Sequence, residues 1–167
     1  MKKILYLLIM LTFLLGFVGC DPGSNTVDEE LLKNTVKIEL YSYENTDPKL
    51  LKLNGKKQPT FDFSKATLIG EFDESVVEDV VKDIAGRKCF VYGNALNEPI
   101  GKTLILYQDN GSMVVLFGCV YEKGNRPARY FGECNVFDEN GVFVEHIGRI
   151  SSDFVDILEA TYLENIA

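Results

Sequence analysis

From residue 36 onward apolar and polar positions mostly alternate, which is the period of a half-buried strand. In "VKIELYSY", Ile38 and Leu40 fall on one face, and Lys37, Glu39 and Tyr41 on the other. "TLIGEF" predicts a short strand. Five more follow in quick succession after residue 87: "KCFVYG", "KTLILYQ", "SMVVLFGCVYE", "ARYFGECNVF" and "VFVEHIG". Their connections "DNG" and "DENG" are short and contain glycine, a hairpin signal. Connections this short force antiparallel pairing, because a parallel crossover needs about a dozen residues. "LILY" and "MVVLF" are apolar on both faces and are expected at the centre of the sheet. "PKLLKLNGKKQPTFDF" carries Gly, Pro and clustered Lys, and reads as a long loop or a weak hairpin.

Two stretches change to the helical period. In "ESVVEDVVKDIAGR", Val76, Val77, Val80, Val81 and Ile84 form one stripe, with Glu78, Asp79, Lys82 and Asp83 covering the rest. Ser75 and Glu78 have capping-box spacing, and Gly86 stands where a C-cap glycine belongs. Valines are mediocre helix formers, so packing on the sheet must hold this helix. "SSDFVDILEATYLENI" predicts a second helix with a Ser cap and Phe154, Ile157, Leu158, Thr161 and Tyr162 on one face. The expected fold class is α+β: an antiparallel sheet of about six or seven strands with two helices packed against it. "LYQDNGSMVVLFG" and "VFDENGVFVEHIG" read as one hairpin solution used twice.

The chain before residue 36 follows other rules. Lys2 and Lys3 make a short positive end, and Ile4 to Phe17 is uncharged and almost wholly apolar. Val18 and Gly19 lead into Cys20, after which "DPGSNT" is polar and rich in turn formers. The apolar run is short for a transmembrane helix, which needs roughly 20 residues, and it has the three parts of an export signal. Phe17-Val18-Gly19-Cys20 resembles the bacterial lipobox, although Leu is commonest where Phe17 stands. That resemblance implies cleavage before Cys20 and acylation of its thiol. The expected organisation is a lipoprotein signal peptide over 1–19, a flexible tether over 20–34, and a single domain over 35–167. A plain signal peptide or an uncleaved anchor is the alternative.

Charge narrows the partners. The formal net charge is −8, and −10 once Lys2 and Lys3 leave with the signal. An acidic domain lacks the Lys and Arg that neutralise phosphates, so no nucleic acid partner is expected. Membrane attachment would come through the N-terminal lipid, since several chains anchor stably where one does not. The resemblance places the protein in the cell envelope, on the outer face of the cytoplasmic membrane. In two-membrane relatives of this signal an Asp after the cysteine, here Asp21, resembles a retention signal for the inner membrane.

Candidate chemistry is sparse. "PIGKT" at Pro99 to Thr103 looks like the end of a phosphate-binding loop, but Leu96 stands where that motif needs glycine, and a strand follows instead of a helix. Cys89, Cys119 and Cys134 have no C-x-x-C spacing, so neither a zinc ribbon nor a thioredoxin-like motif is supported. With Asn125 to Ala128 as a hairpin loop, Cys119 and Cys134 would face each other, either as buried thiols or as a disulfide. His146, the one histidine, lies in a strand where a solvent-facing or hydrogen-bonded role is expected. The carboxylates sit on helix faces, at caps and in turns. No catalytic residue, metal or cofactor is expected.

One surface stands apart. Lys52, Lys56, Lys57, Arg126 and Arg129 lie in or beside loops, and Tyr130 with Tyr41, Tyr43, Tyr92, Tyr107 and Tyr121 falls in or near strands. Lys56, Lys57, Arg126, Arg129 and Tyr130 form a candidate recognition surface. In the competing reading the tyrosines complete the core and the lysines keep the loops soluble. The layout as a whole resembles the small, poorly characterised bacterial lipoproteins, which carry no common activity. Two function classes follow: a non-catalytic binding or assembly lipoprotein with an envelope protein partner, and an extracytoplasmic enzyme with an unrecognised site.

Overall fold

In the computed structural model, residues 24–43, 51–53, 59–61, 66–90, 99–121 and 129–163 are described. Among them, eight strands form one antiparallel sheet: β1 (Ser24–Thr26), β2 (Thr35–Tyr43), β5 (Thr67–Glu71), β6 (Lys88–Phe90), β7 (Pro99–Gln108), β8 (Met113–Tyr121), β9 (Arg129–Phe137) and β10 (Phe143–Ile150). Their order across the sheet is β1-β6-β10-β9-β8-β7-β2-β5. A separate two-stranded ribbon pairs β3 (Leu51–Leu53) with β4 (Pro59–Phe61), the weak hairpin of the Lys-rich stretch. The antiparallel α+β architecture expected from the sequence is therefore present.

The central strands stand where their composition puts them. Leu104, Ile105 and Leu106 of β7 and Val114 to Phe117 of β8 are all fully buried. The two glycine turns work as hairpins. Gly111 (φ 85°) and Gly141 (φ 69°) take the left-handed conformation. Each donates its N–H back to a strand-end carbonyl, on Gln108 and Asp138 respectively.

One face of the sheet carries the helices. Ile38, Leu40, Leu104, Leu106, Val114, Leu116 and Cys134 pack there against α1 (Glu29–Leu32), α2 (Val77–Ile84) and α3 (Phe154–Tyr162). Val80 and Ile84 are the buried residues of α2, with Val76, Val77 and Val81 partly buried beside them. Gly86 follows the helix at φ 74°, as a C-terminal glycine should. The cap, however, is Asp73: its carboxylate accepts from the Ser75 N–H and hydroxyl, at 2.9 and 2.6 Å. A short 3-10 turn, Glu74–Val76, intervenes, so Ser75 lies inside the helical segment and cannot cap it.

The stripe of α3 also differs from expectation. Phe154, Val155 and Leu158 are buried, whereas Ile157 is exposed and Thr161 donates its hydroxyl to the Ile157 carbonyl. Two ties explain the rotation. Lys102 of β7 pairs with Asp156 and Glu159, and Tyr162 donates to Asp83 of α2 at 2.7 Å. These polar contacts turn the side bearing Asp156 and Glu159 outward and Phe154, Val155 and Leu158 inward.

The largest departure is at the N-terminal end. Residues 24–34, expected within a tether, belong to the domain. Asn25 pairs with Cys89, the Val27 N–H donates to the Arg87 carbonyl at 2.9 Å, and Val27 and Leu32 are buried in the core. Asp28 caps α1 through the Glu30 N–H. Segments this short have no stability alone. Tertiary burial makes them, and it adds β1 and α1 to the elements read from sequence.

Candidate functional site

The second face of the sheet gathers the polar chemistry. Strand register aligns three cross-strand rows on it: Tyr41, Thr103, Phe117, Glu133 and Arg149; then Glu39, Ile105, Val115, Asn135 and His146; then Lys37, Tyr107, Met113, Phe137 and Phe143. Cross-strand neighbours stand about 5 Å apart, within reach of one another. The middle of the face is apolar and its two ends are polar. Ile105, Val115, Phe117 and Phe137 are fully buried, so this is an inner face. The ribbon strand β4 lies against β10.

At the β2–β7 end a carboxylate is enclosed. Glu39 is buried and accepts from the Tyr41 hydroxyl at 2.6 Å, while Lys37 Nζ lies 2.5 Å from its other oxygen. Tyr107 stands 3.4 Å from Tyr41, hydroxyl to hydroxyl, with the Lys37 ammonium over its ring. Burial alone would raise the Glu39 pKa; hydrogen bonds from Lys37, Tyr41 and Tyr107 outweigh it and leave the pKa lowered. Burial raises both tyrosines. These two tyrosines therefore close a buried charge. That matches the reading in which tyrosines complete the core.

The β9–β10 end holds the candidate site. Glu133 and Asn135 are completely buried, and Arg149 Nε lies 3.9 Å from the Glu133 carboxylate. His146 Nδ1 is 2.8 Å from Asn135 Oδ1. An amide oxygen only accepts, so Nδ1 carries the proton, and Nε2 of the neutral ring keeps its lone pair. Burial lowers the His146 pKa; Glu133 opposes this and Arg149 adds to it. Among the described residues, Asn135 Nδ2 and His146 Nε2 are both buried and have no hydrogen-bond partner. A donor and an acceptor thus belong to one cross-strand pair. They could take a water or a small polar group offering both functions.

One β-bulge sets this pair. The β9–β10 register shifts between Phe143 and Glu145 and again between His146 and Gly148. Without the first, the register of the turn would set Asn135 opposite Glu145; the second lies beyond the pair. Sequence reading left His146 solvent-facing or hydrogen-bonded, of which the structure shows the second, and it missed Glu133, Asn135 and Arg149. The available signal was the alternation in "GECNVF", which puts Glu133, Asn135 and Phe137 on one face. On the helix side, an open groove of about 1210 Å³ runs between residues 26–31 and the Glu145–Ile147 segment. Asp28, Glu29, Glu30 and Glu145 make its rim acidic, with Lys82 the one cation among the described residues that line it.

The expected site residues are distributed as follows. Cys20, Lys56, Lys57 and Arg126 lie outside the described residues. Arg129 and Tyr130 begin β9, opposite Tyr121 and Val120. Cys134 is a buried free thiol, as is Cys89. The ladder sets Cys119 opposite Phe131 and Cys134 opposite Leu116, so the two cysteines do not face each other. Three residues are about 10 Å of strand, beyond the roughly 7 Å Cα separation that a disulfide tolerates. Burial pushes the Cys89 thiol up to about 11 and raises Cys134 further. Lys102 of "PIGKT" is engaged with α3, and Gly101 (φ 71°) forms a bulge at the β7–β8 pairing.

Comparison with protein-family models, with curated proteins and with solved structures finds no match to this chain.

Proposed function

We propose that the protein is a lipid-anchored extracytoplasmic lipoprotein whose domain is a non-catalytic binding or assembly module with a protein partner in the envelope. The anchor rests on Lys2, Lys3, the apolar run Ile4 to Phe17 and the Phe17-Val18-Gly19-Cys20 junction. The non-catalytic half rests on where the reactive groups went. Cys89 and Cys134 are buried with raised pKa values, which suppresses the nucleophilic thiolate. His146 is held in the sheet by Asn135.

The anchor is tested by mass. Cys20→Ala should leave an unprocessed precursor, and native protein should begin at an acylated Cys20. An unmodified Cys20 within an intact peptide would sink the reading.

One observation favours the rival enzyme reading: His146 Nε2 and Asn135 Nδ2 have no partner among the described residues, beside a buried carboxylate. The discriminating variant is His146→Gln, in cells where loss of the protein gives a scorable defect. Full complementation at normal abundance supports a binding module. Loss of function at normal abundance supports an enzyme.

A further inference from the structure

We infer that the β1–β6 edge of the sheet is a membrane-facing surface, held against the phospholipid headgroups by a leash too short to let the domain turn. The inference rests on the proposed lipid anchor at Cys20. Only residues 21–23 separate that cysteine from Ser24, the first residue of β1. At up to about 3.6 Å per residue, four steps reach no more than roughly 14 Å.

The far end of that leash is fixed into the fold. Ser24, Asn25 and Thr26 pair with Phe90, Cys89 and Lys88. The Gly86 N–H donates to the Val27 carbonyl at 3.0 Å, and the Val27 side chain is buried. Lengthening the leash would mean peeling off β1 and uncovering Val27. Among the described strands β1 is outermost, and β5 is the opposite edge. Seven inter-strand spacings put β5 about 33 Å away.

The surface beside the entry point suits a bilayer interface. On β6, Lys88 and Phe90 are exposed while Cys89 between them is buried. Phe90 keeps 44% of its surface in solvent, and Ser24 is its cross-strand neighbour. Aromatic rings and lysine stems are the side chains that settle at headgroup depth. Asp28, Glu29 and Glu30 follow on the same margin, so the favoured surface is one of low negative charge. The exposed Leu68 and Ile69 on β5 would then lie at the edge away from the membrane.

The test uses the full lipidated chain in phosphatidylcholine vesicles, with a fluorescent amino acid at position 88 or position 68 and a headgroup-attached quencher. Quenching should be several-fold stronger at 88 than at 68. Equal or reversed quenching would overturn the orientation. Intact mass of the same sample separates the two levels: an acylated Cys20 with no difference sinks the orientation alone, and an unacylated Cys20 sinks the anchor with it. Inserting about twelve Gly/Ser residues after Asp21 adds on the order of 20 Å of reach and should erase the difference. A difference that survives the insertion rules out the short leash as its cause.

Discussion

Cys89 leans over Gly148: a Cβ built at Gly148 would lie 2.6 Å from the Cys89 Cβ. Gly148 is paired on its other side with Cys134, and its φ of 155° is one that L side chains rarely adopt. The glycine is what lets β6 close onto β10 at this point. Gly148→Ala should therefore destabilise the domain by about 1–3 kcal/mol through overpacking. Urea unfolding would measure it, and a loss near zero would contradict the close approach.

The same neighbourhood predicts the behaviour of the thiols. Because Cys89 is raised to about 11 and Cys134 is raised further by burial and by Cys89, neither is thiolate at neutral pH. Pulsed alkylation read by peptide mass should label both only as fast as the domain unfolds. Rapid labelling of either in the native state would overturn the assignment.

Since Cys134 is free and out of register with Cys119, reductant should leave the unfolding midpoint nearly unchanged. A disulfide there would be worth about 2–4 kcal/mol. Melting a chain lacking residues 1–19 with and without reductant decides it. A drop of several degrees would restore the bridge.

His146 gives a pH dependence with a definite sign. Burial holds its folded pKa below the ordinary 6.5, with Glu133 opposing and Arg149 reinforcing. Above about pH 6.5 the ring is neutral in both states and its contribution is fully present. As pH falls below that, the unfolded chain takes up the proton first, so stability falls until the folded ring protonates too. The slope is at most about 1.4 kcal/mol per pH unit for one proton. His146→Gln should flatten that segment of the curve between pH 5 and 7. Parallel curves for the two proteins would refute the shift.

The enclosed carboxylate at the other end of the inner face predicts a hydrogen-bond cost. Tyr41→Phe removes a donor 2.6 Å from the buried Glu39, a bond to a charged group worth about 1.5–3 kcal/mol. Urea unfolding should show that loss. A loss within about 0.5 kcal/mol, typical of a surface change, would mean that Glu39 does not need Tyr41.

The strands β2 and β5 to β10, the two glycine hairpins, the central place of β7 and β8 and the apolar stripe of α2 were legible in the chain. Each depends on a local period or on turn chemistry, which neighbouring residues carry by themselves. What only the tertiary structure decided depends on residues far apart. Val27 and Leu32 enter the core because β6 and α2 are there to receive them; "VDEELLKN" by itself offers one helical turn, too short to be stable alone. Lys102 and Tyr162 orient α3, whose own sequence leaves two stripes open. Asn135 meets His146 through a bulge, and Cys134 misses Cys119 through strand register alone. A one-residue slip moves every side chain to the opposite face, and it is packing of both faces together that selects the register.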